Sequence, residues 1–196
     1  MNINKKRVGV FSGSFNPIHV GHLVLANYIT EFTDLDEMWF VVTPHNPLKS
    51  ADGLLNDYIR LEMAQLAIEG YEKLKVSDVE FSMPKPSYTI DTLRKLSADN
   101  PDIDFTLIIG ADNWHIIDQW KEYKQLLSEY KLMVYPRLGF LVDIDEEHQS
   151  NVQLVNAPVI EISSTFIRES IKAQRDVRAF LPNSVSKFVI NNQLYQ

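Results

Sequence analysis

The stretch Arg7–His22, R-V-G-V-F-S-G-S-F-N-P-I-H-V-G-H, constrains this chain more than any other. Val8–Phe11 is a short apolar run that reads as a buried strand. Ser12-Gly13-Ser14 offers a tight turn, since glycine reaches backbone angles that other residues avoid. Pro17 stands near the front of the next segment, where its fixed φ suits a helix start. From Val20 to Phe32 the apolar residues Val20, Leu23, Val24, Ile29 and Phe32 keep helical spacing. Strand, small-residue turn and helix together gather backbone N–H groups at the positive end of a helix dipole, an anion site. His19 and His22, three apart, share one side of the first helical turn. Singly, either histidine is more often a surface or capping residue. Paired at a phosphate-binding corner, they suit charge stabilisation during phosphoryl or nucleotidyl transfer.

The remaining pattern alternates strands and helices. Strands are expected at Glu37–Thr43, Leu74–Val79, Phe105–Gly110, Lys131–Tyr135 and Val152–Asn156. Helices are expected at Leu54–Tyr71, Thr89–Ser97, from Ala111 toward Leu127, and at Ile162–Gln174. Asp176–Tyr195 reads as helix, a break at Pro182, and helix. The expected fold is α/β: a doubly wound, Rossmann-like, mostly parallel sheet with helices on both faces, residues 1–196 forming one domain. Ligands of such a fold sit beyond the carboxyl ends of the strands. A formal charge of −7 argues against a broad nucleic-acid surface, but leaves room for a local positive pocket. The chain has no cysteine, hence no disulfide or thiolate metal site. No signal-peptide pattern and no run of membrane-span length is present, so a soluble cytoplasmic protein is expected, its oligomeric state unreadable. Neither G-x-x-x-x-G-K-[ST] nor G-x-G-x-x-G occurs, so phosphate chemistry falls to the histidine-bearing corner.

G-S-F-N-P-I-H-V-G-H resembles the H-x-G-H signature of the nucleotidylyltransferase superfamily, with its G-[ST]-F-[DN]-P-x-H approach. A second stretch, Ile162-Ser163-Ser164-Thr165-Phe166-Ile167-Arg168, reads by itself as a capped helix start carrying an arginine. It resembles the superfamily's [IV]-S-S-[ST]-x-[IV]-R motif, which holds the β- and γ-phosphates of ATP. The resemblance implies ATP contacts from Gly13, Ser14, Phe15, His19, His22, Gly110, Ile162, Ser163, Ser164 and Arg168, with His19 and His22 catalytic.

Pro86-Ser87-Tyr88-Thr89-Ile90-Asp91-Thr92-Leu93 and Gly110-Ala111-Asp112, followed by Trp120, resemble segments of the nicotinate-nucleotide adenylyltransferases. The resemblance implies that the pyridine ring stacks on Tyr88 and Trp120, which otherwise read as core or interface aromatics. Backbone N–H groups near Thr89 bear on acid against amide selection, and Asp112 is a ribose or substrate contact. Thr43–Lys49 corresponds to the family's proline-rich loop, implying a phosphate contact from Lys49 and a ribose or phosphate contact from Asn46. Arg137, in Arg137-Leu138-Gly139, is a further candidate for phosphate neutralisation. The implied reaction joins nicotinate mononucleotide to the AMP part of ATP, with Mg²⁺ carried on the ATP phosphates and no metal ligand assigned to the protein. Neither nucleic acid nor a membrane is an expected partner. A phosphopantetheine-using sibling, a nicotinamide-preferring relative and a non-catalytic nucleotide sensor are the competing readings.

Overall fold

The computed structural model describes residues 5–44 and 53–196. The expected Asn46 and Lys49 contacts therefore lie outside the described residues. Strands β1 (Lys6–Gly13), β2 (Glu37–Val42), β3 (Leu74–Ser77), β4 (Ile103–Gly110), β5 (Lys131–Tyr135) and β6 (Val152–Leu154) form one sheet. Their order is β3-β2-β1-β4-β5-β6, and every neighbouring pair is parallel. Parallel neighbours require crossovers, here built around α1 (Val20–Phe32), α2 (Asp57–Ala67), α3 (Thr89–Asp99), α4 (Ala111–Trp114) and α5 (Tyr123–Glu129). Helices α6 (Ser164–Lys172) and α7 (Asn183–Asn191) close the chain. Among the described residues no helix is long and apolar enough to cross a membrane.

Alternate residues of each central strand enter opposite cores. Phe11, Met38, Phe40 and Ile108 pack with Ala26 and Ile29 of α1, Met63 of α2, and Val185 and Val189 of α7. Val8, Val10, Val41, Leu107 and Ile109 pack with Ile90 and Leu93 of α3 and Leu126 of α5. Both sheet faces are thus covered, as the unbroken apolar strands require.

Several local expectations are corrected. Strand β1 runs through Gly13 instead of ending at Phe11, and the left-handed residue of the loop is Phe15, at φ 45°. Gly13 is required for its lack of a side chain: a Cβ there would press on the Phe15 ring at 3.0 Å. The helix begins at Val20, so Pro17 precedes it by more than one residue. Helix α2 starts only at Asp57, where the Asn56 side chain accepts from the Tyr58 N–H at 2.9 Å. The long helix expected after Ala111 is broken into α4, a 3₁₀ turn at Ile117–Gln119, and α5. Trp120 is extended at that break and Glu122 is left-handed at φ 51°, which ends one helix and redirects the next.

The switch in strand order sits at β1. Its ladder with β2 continues to Gly13↔Val42, whereas its ladder with β4 stops at Val10↔Leu107. Beyond Val10 the two central strands part, opening a crevice at their carboxyl ends, where open α/β sheets bind ligands.

Arg60 holds the rim of that crevice. It has no exposed surface, although it sits in α2 among Met63, Ala64 and Ala67. Its Nη1 donates to the carbonyls of Ser14 at 2.6 Å and Thr43 at 2.8 Å. Its Nη2 donates to the Pro44 carbonyl at 3.0 Å and to Asp57 Oδ1 at 2.6 Å, and its Nε to the Leu55 carbonyl at 2.9 Å. All donors of the guanidinium are used, and they fasten the ends of β1 and β2 to the start of α2. An ammonium cannot reproduce that planar fork. Arg60→Lys is expected to lose about 3 kcal/mol or more of stability in urea unfolding. A loss under about 1 kcal/mol would show that the carbonyls find other donors.

Candidate active site

The loop after β1 delivers both histidines to the start of α1. His19 is the N-cap residue, and its backbone N–H donates to His22 Nδ1 at 3.2 Å. With Nδ1 accepting, the proton of a neutral His22 ring belongs on Nε2. The two rings stack with centroids 3.7 Å apart and planes 27° from parallel. Gly21 explains how they fit: a Cβ there would approach Cε1 and Nδ1 of His19 at 3.1 Å. His19 is 5% exposed, and its Nδ1 is buried without a protein partner.

Burial, and then the positive charge of Arg137, lower the His19 pKa from 6.5 to about 4. At neutral pH this ring is an uncharged donor. Arg137 also lies 5.4 Å over the Tyr135 ring and 3.6 Å from Asp112 Oδ1. Asp112 folds back over Gly110, where any Cβ would overlap its carboxyl group. A Cβ at Gly110 would also meet the Tyr135 ring and hydroxyl at 3.1 Å.

Helix α6 closes the corner. Ser164 Oγ donates to the Pro17 carbonyl at 2.8 Å across 147 residues of sequence, and Arg168 Nη1 donates to the Asn16 carbonyl at 2.9 Å. Ser163 is the N-cap, accepting from the Phe166 N–H at 3.1 Å. The serine hydroxyls thus have protein partners, and the groups that α6 offers to a phosphate are backbone N–H groups and the half-buried Arg168.

Beside the histidines, the crevice holds a cavity of about 340 Å³. Gly13, Ser14, Tyr88, Thr89, Gly110 and Trp120 line it, as the sequence leads one to expect of neighbours in one site. Phe11 joins the two regions: it lines the cavity and its ring meets the His22 ring edge-on at 5.8 Å. His19, His22, Asp112, Arg137, Ile162 and the α6 motif lie outside the cavity lining, so the expected site divides into a histidine corner and a ring-sized pocket. The Phe15 side chain is core, which leaves only its backbone for a ligand.

Sequence reasoning missed four residues here. Glu80 is 3% exposed on the cavity wall, accepting from Ser87 Oγ at 2.6 Å and Thr92 Oγ1 at 3.0 Å. Burial raises its pKa against those hydroxyl bonds, and it fixes the turn that carries Tyr88 and Thr89. Lys121 lies 4.9 Å over the Tyr88 ring while pairing with Asp91 at 2.8 Å. Arg60 was hidden in an amphipathic pattern, though a charged residue in register with Met63, Ala64 and Ala67 is a legible anomaly. Asn16 was read only as part of a motif.

The chain matches the cytidylyltransferase-like family model over residues 10–170. It is 53% identical over 186 residues to a probable nicotinate-nucleotide adenylyltransferase of Bacteroides fragilis, covering 95% of this chain and 92% of that protein. It is 45% identical to one of Flavobacterium psychrophilum, covering 97% and 99%. The fold also matches a Plasmodium falciparum nicotinic acid mononucleotide adenylyltransferase complexed with NaAD. That match has a TM-score of 0.79 and 24% identity over 97% of both chains.

The shifted His19 pKa has a measurable consequence. Between about 4 and 6.5 the unfolded chain holds more protons than the folded one. Folding stability is therefore full above 6.5 and falls as pH drops toward 4, by up to about 1.4 kcal/mol per pH unit from this group. Urea unfolding of His19→Asn across that window is expected to show a shallower fall than the parent chain. Equal slopes would remove His19 as the cause.

Proposed function

The chain belongs to the nicotinate-nucleotide adenylyltransferases of the cytidylyltransferase-like family, and on that premise we propose how its residues carry the reaction. A phosphate oxygen of nicotinate mononucleotide attacks the α-phosphorus of ATP in line. The bond from that phosphorus to the oxygen bridging the α- and β-phosphates breaks, giving deamido-NAD and pyrophosphate. The acceptor brings its own nucleophile, so the protein's work is positioning and charge stabilisation. The observation that carries this reading is the pair of bonds from Ser164 and Arg168 to the Pro17 and Asn16 carbonyls. They support a single anion corner made from two distant motifs, opening beside a cavity with aromatic walls.

In this reading His22 and neutral His19 face the oxygens that gain charge in the transition state, and His19 donates to them from its ring N–H. Arg168 and the N-terminal amides of α6 hold the departing pyrophosphate. Arg137 adds positive charge on the histidine side. Tyr88 and Trp120 hold the pyridine ring, and the amide of Thr89 and Asp112 meet the mononucleotide. Asn46 and Lys49 are assigned to its ribose and phosphate by the motif alone. The corner is rich in donors, and Asp112 is engaged by Arg137. Such a donor set would suit Mg²⁺ arriving on the ATP phosphates, where it would supply neutralising charge. Residues 1–196 act as one domain.

Pyrophosphate release from ATP, supplied with nicotinate mononucleotide, nicotinamide mononucleotide or phosphopantetheine in turn, tests the acceptor. The first is expected to be turned over most efficiently, and a preference for either other acceptor would overturn the assignment. His19→Ala and His22→Ala are each expected to lower kcat on the order of 10²–10³-fold, as loss of a donor to developing charge does. Trp120→Ala is expected to raise KM for the mononucleotide about tenfold or more while leaving KM for ATP near its parent value. An unchanged acceptor KM would take Trp120 out of the ring site.

A further inference from the structure

Asn16 makes more long-range contacts than any role in a ligand motif requires. Its Nδ2 donates to the Gly53 carbonyl at 2.9 Å, and its Oδ1 accepts from the Leu55 N–H at 3.3 Å. The same Oδ1 accepts from the Tyr195 hydroxyl at 2.8 Å, across 179 residues of sequence, while its backbone carbonyl takes Arg168. Asn16 is 4% exposed, so each of these groups needs its partner. It lies between left-handed Phe15 and the histidine motif. The Tyr195 side is equally committed. Gln193 and Tyr195 both adopt left-handed backbone, at φ 50° and 66°, which L residues rarely do without compensation. The Tyr195 ring packs against the apolar core of the α1, α2 and α7 face.

We propose that Tyr195 is a positioning residue for adenylyl transfer: its hydroxyl fixes the Asn16 amide, and Asn16 holds the histidine loop in register with the Gly53–Leu55 segment. The proposal rests on the functional reading above and adds to it a named link between the corner at His19 and His22 and the Gly53–Leu55 segment that leads into α2, which Arg60 fastens again at Leu55. Tyr195 is suited to the task because a phenol stays protonated at neutral pH, and burial pushes its pKa further up. With the hydroxyl gone, Oδ1 keeps only the long contact to Leu55, and the amide is held less tightly, by that contact and the Nδ2 bond to Gly53. In a reaction that depends on in-line alignment, such slack lowers turnover more than ground-state binding.

Tyr195→Phe keeps the ring in the core and removes only the hydroxyl. The expected result is a fall in kcat of about tenfold, with KM for ATP within about twofold of the parent. Faster native-state exchange of the Leu55 amide is expected alongside it. An unchanged kcat at equal folded fraction would overturn the proposal, as would a rate loss that merely tracks loss of folded protein. If the parent chain releases no pyrophosphate with any pyridine mononucleotide, the functional reading fails. The Tyr195 link is then decided by Leu55 exchange alone, and unchanged exchange refutes it.

Discussion

The structure depends first on a buried cation that has almost no carboxylate to answer it. Arg60 is neutralised by one aspartate, which it shares with Lys85, and otherwise spends its donors on backbone carbonyls. Placing a guanidinium inside a protein is costly unless every N–H finds a partner. Here the partners include the carbonyls just beyond the ends of β1 and β2. Carbonyls at the carboxyl ends of parallel strands have no further ladder to join, and loops cannot satisfy them reliably. One planar fork does so, and in doing so sets where the chain goes next on both sides.

The same logic governs the other side of the histidine loop. Pro17 and Asn16 turn their carbonyls toward α6, where a serine and an arginine meet them. The loop after β1 is therefore held from three directions: by α2 through Arg60, by α6 through Ser164 and Arg168, and by the chain after α7 through Tyr195. A short loop carrying a left-handed phenylalanine would not keep one shape on local preferences alone. Its rigidity is tertiary, and the pairing of the two imidazole rings inherits it.

Much of this could be read from the residues. The strand–loop–helix order, the doubly wound sheet and the pairing of His19 with His22 follow from apolar periodicity and spacing, which are local properties. So does the gathering of Tyr88, Thr89, Gly110 and Trp120, because each lies at the end of a strand or in the connection that follows one, in a fold whose ligand edge is known. What escaped notice has a common cause. Arg60, Asn16, Glu80 and Tyr195 act on atoms distant in sequence, and several of those atoms are backbone carbonyls that carry no residue identity. The break at Trp120 escaped for a related reason: the aromatic turns toward the cavity, and tertiary burial outweighs helical continuity. The neutral state of His19 depends on burial depth, which spacing does not encode.

The parting of β1 from β4 beyond Val10 has a practical meaning. The cavity it opens is walled by hydroxyls, amides, aromatic rings, the buried carboxyl of Glu80 and Lys121, whereas His19, His22 and Arg168 stand outside it. On the proposed function, a compound shaped to that chamber would compete with the acceptor nucleotide without imitating a triphosphate.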